Sequence, residues 1–185
     1  MGDHSKRELY GLLLNLVGIP SVSPSAESEN RIARFIHDSF QDLSYFQENR
    51  GDLRLLPLEG DPLGRHLVFA IVRARKRTAD TVILMGHMDV VGTEACGFLA
   101  PLAFSPEEYT ERIASVAIPR DARKDLESGE WLFGRGVADM KSGVAAGMDL
   151  LMEAAENPGK YEANVAVLFV PEEENKSGGM LSCSS

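Results

Sequence analysis

The chain has 185 residues, 44% apolar and 25% charged, the composition of an ordinary globular domain with room for a real core. Its formal net charge of −9 argues against nucleic acid or an anionic membrane as a main partner. Two cysteines, Cys96 and Cys183, exclude a disulfide framework. The charged start, Met1 to Glu8, has no signal-peptide core behind it, and no run approaches the ~20 apolar residues of a membrane span, so the chain reads as cytoplasmic.

Apolar residues at Leu9, Leu12, Leu13, Leu16 and Val17 fall at helical spacing, which predicts a helix from Ser5 to Val17 stopped by Gly18 and Pro20. Ser23-Pro24 suits an N-cap followed by a first-turn proline, opening a helix from about Glu27 to Phe40. Gly and Pro break up residues 41–64 apart from a short strand near Leu53 to Leu58. His66 to Val72 reads as a strand, and Arg73, Arg75, Lys76 and Arg77 as a solvated hairpin tip leading to the next strand. That strand, Thr81 to Met85, is a continuous apolar run rich in β-branched residues and reads as buried. The segment from Val91 to Glu130 is irregular, with one short helix from Ser105 to Ile113. Connections this long inside a compact domain tend to be functional loops. A helix from Met140 to Glu156 and a buried strand from Asn164 to Val170 complete the order. The fold class is α/β, with a mixed, largely parallel sheet flanked by helices.

Chemistry-bearing residues gather where these strands end. His87 and Asp89, two apart on an extended chain, leave the same face, and a carboxylate beside an imidazole can aim its second nitrogen at a metal. Asp139 follows the turn-forming Gly134 and Gly136 at the start of a helix, where a carboxylate either caps the helix or serves as a ligand. Glu172, Glu173 and Glu174 stand together after the last strand. Three adjacent carboxylates there call for a cation or a helix terminus to offset their charge. Ligands in open α/β sheets collect at the carboxyl ends of strands, so the three stretches can converge on one metal site. Imidazole plus carboxylate suits zinc, with manganese or cobalt as substitutes.

These stretches resemble the dinuclear-zinc metallopeptidase family that includes the aminoacylases, glutamate carboxypeptidases and succinyl-diaminopimelate desuccinylase. The resemblance is carried by Gly86-His87-Met88-Asp89-Val90-Val91, by Gly134-Arg135-Gly136 through Asp139-Met140-Lys141-Ser142-Gly143, and by Glu172-Glu173-Glu174 with Ser177, Gly179 and Met180. The opening helix with Ile19 to Ser23 also looks like the family's start. The segment around Phe104 to Glu108 looks most like the amino-acid-degradation (arginine-utilisation) branch. The resemblance implies that His87 ligates one zinc with Asp89 holding its ring, that Asp139 bridges two zincs, and that Glu174 is a further ligand. Glu173 would be the general base in hydrolysis of an amide or peptide bond by a metal-activated water. An aspartate is commoner in the family where Glu172 stands. The implied substrate is a small peptide or an acyl-amino acid.

The family pattern also calls for two later ligands, a carboxylate and a histidine, and for an inserted lid or dimerisation domain. Residues 1–185 therefore read as the N-terminal portion of a single catalytic domain, truncated before those parts and with little or no activity alone. Whether the full-length protein is a homodimer stays open, because the family's dimer surface lies in the insertion. His4, His37 and His66 sit on ordinary helix or strand positions and are not read as ligands. The alternatives are an inactive remnant that binds only metal or a partner, and an ordinary α/β binding protein whose acidic helix starts mimic ligands.

Overall fold

The computed structural model describes residues 3–175, with side chains from Lys6 onward. Ser177, Gly179, Met180, Cys183 and the side chain of His4 lie outside the described residues. Helix α1 (Asp3–Val17) buries Leu16 and Val17 completely, as its stripe predicts, and its end is closed by the Gly18 N–H on Leu14 O at 2.9 Å. Helix α2 (Ala26–Gln41) buries Ile32, Ala33, Ile36 and Phe40. Its N-cap is Ser25, not Ser23: Ser25 Oγ accepts the Ser28 N–H at 3.3 Å. Ser23 is engaged elsewhere, because its N–H is donated to Val90 O at 3.0 Å, and Val22 forms a parallel bridge with Val90. A short helix, α3 (Ser44–Glu48), follows.

Four strands, β1 (Leu53–Pro57), β2 (His66–Val72), β3 (Thr81–His87) and β4 (Asn164–Val170), form one mixed sheet in the order β1-β2-β4-β3. Two expectations change here. The sheet is not largely parallel: β1–β2 and β2–β4 are antiparallel, and only β3–β4 is parallel. The connection from β1 to β2 contains no helix, so it returns the chain beside itself in the opposite direction. Nor is the basic segment 73–77 a hairpin tip, because β4 lies between β2 and β3. Arg73 pairs with Asp52 (Nη2–Oδ1 2.8 Å), and the Ala74 N–H is donated to Asn164 Oδ1 at 3.0 Å at the start of β4.

The parallel pairing needs a crossover, and helix α6 (Ser142–Glu156) provides it. Val144, Met148 and Leu151, at helical spacing, are fully buried, and α6 packs with α1 and α2 over Val68, Val167 and Phe169 to make the core. Strand β4 is buried as expected. Strand β3 is not: Val82, Ile83 and Met85 are 54%, 53% and 46% exposed. It is an edge strand, and a strand with a single neighbour keeps half of its surroundings open. Between β3 and α6 run a 3-10 segment, Glu94–Leu102, then α4 (Pro106–Ile113), which matches expectation, and α5 (Arg120–Ser128), which was not foreseen. Helix α5 is charged along its whole length and buries no residue, so it leaves no apolar stripe to read. No helix among the described residues is long and apolar enough to cross a membrane.

Candidate metal centre

The site lies at the carboxyl ends of the parallel pair. His87 closes β3 opposite Val170, the last residue of β4, so the loops leaving both strands start side by side. The loop after β3 is pinned on two sides. The Met88 N–H is donated to Val170 O at 2.9 Å, and the Val90 N–H to Ser21 O at 3.0 Å. Ser21 Oγ in turn donates to Met88 O at 2.6 Å. This holds Asp89 with no solvent exposure.

Asp139 arrives by a wide turn over Val137–Lys141, closed by the Lys141 N–H on Gly136 O at 2.9 Å. Gly136 has φ 74, and a Cβ there would meet Val90 Cγ1 at 2.5 Å, so glycine is required both by conformation and by close approach. The alternative of Asp139 as a helix cap is overturned. Asp139 is extended (φ −120, ψ 102), and α6 starts at Ser142 without a side-chain cap. Lys141 is fully buried, and its Nζ donates to Leu16 O (3.0 Å) and Ile19 O (2.7 Å), tying the turn to the end of α1. Burial pushes the Lys141 amine down to about 7, with Asp89 opposing.

Ligand atoms of His87, Asp139 and Glu174 all lie within 4.8 Å of one another. His87 Nε2 is 3.0 Å from Asp139 Oδ1 and 3.8 Å from Glu173 Oε2. The nearest acceptor to His87 Nδ1 is the Asp89 backbone carbonyl at 3.0 Å, with the Asp89 carboxylate at 3.6 Å. That carboxylate receives the N–H groups of Glu173 (3.1 Å) and Glu174 (3.0 Å), so Asp89 orients the acidic turn as well as facing the ring. Burial alone would lower the His87 pKa, but Asp89 and Asp139 outweigh it and raise it to about 9. Burial would raise Asp89, and the His87 ring with the two backbone N–H groups holds it below its ordinary value. Glu174 is pushed up by burial and then by Asp139. The centre is thus a pool of excess negative charge.

Residues 83–184, more than half of the chain, match Peptidase family M20/M25/M40. The chain belongs to that family. Two Bacillus subtilis proteins are similar over nearly all of it: RocB, 34% identical over 94% of the chain, and YqjN, 36% identical over 98%. The chain spans 31% and 32% of their lengths, about a third. Human carnosine dipeptidase 1 shares the fold over 96% of the chain and 34% of its own, at TM-score 0.63 and 20% identity.

His37 and His66 lie away from the centre. His37 faces Asp38, and His66 Nδ1 is 3.0 Å from Asn30 Oδ1. The sequence reading passed over Glu29, Asp61 and Arg65, whose side chains are buried beside the acidic turn. Arg65 Nη2 is 2.8 Å from Glu172 Oε2. This pairing offsets one of the three adjacent carboxylates without any metal. No local signal marks it, because Arg65 and Glu172 are far apart along the chain and meet only once β2 and β4 pair.

Proposed function

We propose that His87, Asp139 and Glu174 hold divalent cations, zinc foremost, and that Glu173 is the general base in hydrolysis of an amide or peptide bond. The observation that carries this reading is the convergence of one imidazole and two carboxylates, from three distant parts of the chain, within 4.8 Å. Such a donor set suits zinc, with cobalt or manganese as substitutes. The raised pKa of His87 supports the fit, since it registers the carboxylates crowded around the ring, whose charge a cation would neutralise. The Asp139 side chain is 79% exposed, so its carboxylate is open to a second cation, as the bridging role would require.

Bound there, the cations would supply Lewis-acid polarisation of a carbonyl and acidify a water. Glu173, beside the His87 ring, takes the proton of the attacking water and returns it to the leaving nitrogen. Asp89 holds the Glu173 and Glu174 backbone and, with its own carbonyl, the Nδ1 edge of the His87 ring. Residues 1–185 are read as the N-terminal portion of a catalytic domain, consistent with their spanning about a third of RocB and YqjN. The remaining ligands, the lid and the dimer surface are assigned to the rest of such a protein. The substrate class is small peptides or acyl-amino acids, in amino-acid degradation given the likeness to that branch.

Zinc titration against a chromophoric chelator tests the site. The chain should bind zinc, and His87→Ala and Glu174→Gln should each weaken binding at least tenfold. Unchanged affinity in both variants would remove the metal reading. In the full-length protein Glu173→Gln should abolish turnover and spare metal content, and undiminished turnover would take Glu173 out of the base role.

A further inference from the structure

We infer that Arg65 is a positioning residue for the metal centre, acting through Glu172 on the two glutamates that follow it. This rests on the metal reading of His87, Asp139 and Glu174. Glu29, Asp61 and Arg65 all lie outside the segment that matches the family, residues 83–184.

The chain leaves β4 through Glu172 with φ 68, a left-handed conformation that a side chain larger than glycine's adopts only when its surroundings impose it. Two contacts impose it here. The Glu172 N–H is donated to Glu29 Oε1 at 3.0 Å, and the Glu172 carboxylate meets Arg65 Nη2 at 2.8 Å. Glu29 is itself fully buried in the first turn of α2, and its other oxygen accepts the Ser25 N–H at 2.8 Å.

Arg65 is 2% exposed and is also held by Asp61, which accepts from Nη2 at 2.6 Å, Nε at 3.0 Å and the Arg65 backbone N–H at 2.7 Å. The guanidinium is thus clamped before it reaches Glu172, and its Nη1 lies 3.5 Å from Glu29. A planar fork can hold Asp61 and Glu172 together, whereas the point charge of a lysine cannot.

The consequence reaches the centre through the backbone. The N–H groups of Glu172, Glu173 and Glu174 are all donated to buried carboxylates, the first to Glu29 and the next two to Asp89. Asp89 fixes the turn from the His87 side, and the Arg65–Glu29 pair fixes it at Glu172. Without Arg65, three carboxylates (Glu29, Asp61 and Glu172) face one another with no cation among them, and the turn must move to relieve them.

The test uses Glu172→Gln and Arg65→Lys in the 185-residue chain, with zinc affinity and NMR amide exchange of Glu173 and Glu174 as readouts. Glu172→Gln keeps size and the backbone bond to Glu29, so it is the variant expected to fold. Both variants should lose about 10–100-fold in zinc affinity, the range for groups that orient metal ligands. In the metal-free chain the two amides should exchange faster while amides of α6 stay unchanged, a pattern that general destabilisation would not give. A Glu172→Gln variant with wild-type zinc affinity and wild-type exchange would overturn the inference and leave the metal reading standing. A wild-type chain that binds no zinc would overturn both.

Discussion

Replacing Asp61 by Asn keeps the shape of the side chain and removes its charge from beside Arg65. The Asp61 side chain is 3% exposed and takes three donors from that one residue. Those hydrogen bonds, led by the guanidinium, hold its carboxyl at about 2 against an ordinary 3.8. A folded pKa below the unfolded one stabilises the fold above the unfolded value, and that stability is lost as pH falls through the folded value. The difference of nearly two units corresponds to about 2 kcal/mol. Asp61→Asn should therefore cost about 2 kcal/mol near neutral pH. The gap from wild type should be roughly halved at about pH 3 and nearly gone at about pH 2. Urea unfolding of both chains at about pH 7, 5 and 3 measures this. A gap that does not narrow on acidification would mean that Asp61 acts through packing and not through its charge.

Gly136→Ala forces a Cβ into a left-handed position and against Val90 Cγ1, and should destabilise by about 2–4 kcal/mol in urea unfolding. A cost under about 0.5 kcal/mol would show that the turn before Asp139 tolerates a shift. Exposed β3 positions should behave in the opposite way: Ile83→Thr should stay within about 0.5 kcal/mol of wild type, while Leu151→Ala in α6 should cost about 2–5 kcal/mol. Equal losses at the two positions would mean that β3 is covered in solution. His37→Ala and His66→Ala should leave zinc affinity untouched, and a drop in either would place a ligand outside the centre described.

Elements whose burial is decided within the chain could be read from the sequence. The stripes of α1, α2 and α6 face a core made of β2 and β4, so the pattern in the sequence and the burial in the fold agree. Strand β3 has an equally clear apolar run but sits at the edge of the sheet, and an apolar run reads the same whether or not something covers it. The sheet order was hidden for a related reason. A basic segment between two apolar runs looks like a hairpin tip, and only the pairing of β4 with both β2 and β3 shows that the chain passes over another strand's start. The candidate ligands were legible because His87, Asp139 and Glu174 each follow a strand or turn with distinctive local chemistry. What holds them was not, since Lys141 reaches α1 and Arg65 reaches Glu172 across most of the chain's length.

Asp89 explains why the separate pieces behave as one centre. A carboxylate buried without exposure is costly unless its oxygens are satisfied, and here both are taken by the backbone N–H groups of the acidic turn. The turn therefore cannot move without orphaning Asp89. Asp89 cannot move either, because Met88 and Val90 are bonded to β4 and to the connector before α2. The same residue offers its carbonyl to His87 Nδ1, which leaves Nε2 directed at Asp139. Ring orientation and glutamate placement thus depend on one side chain and its own backbone. In Asp89→Asn one of the two N–H groups faces an amide nitrogen, which cannot accept, in place of the oxygen it now bonds. The substitution should therefore loosen Glu173 and Glu174 while His87 keeps its backbone partner. Faster amide exchange at Glu173 and Glu174 is the expected NMR result, together with a fall in the His87 pKa, because the Asp89 charge that raises it is gone; unchanged exchange at both glutamates would show that the Asp89 carboxylate does not hold the turn.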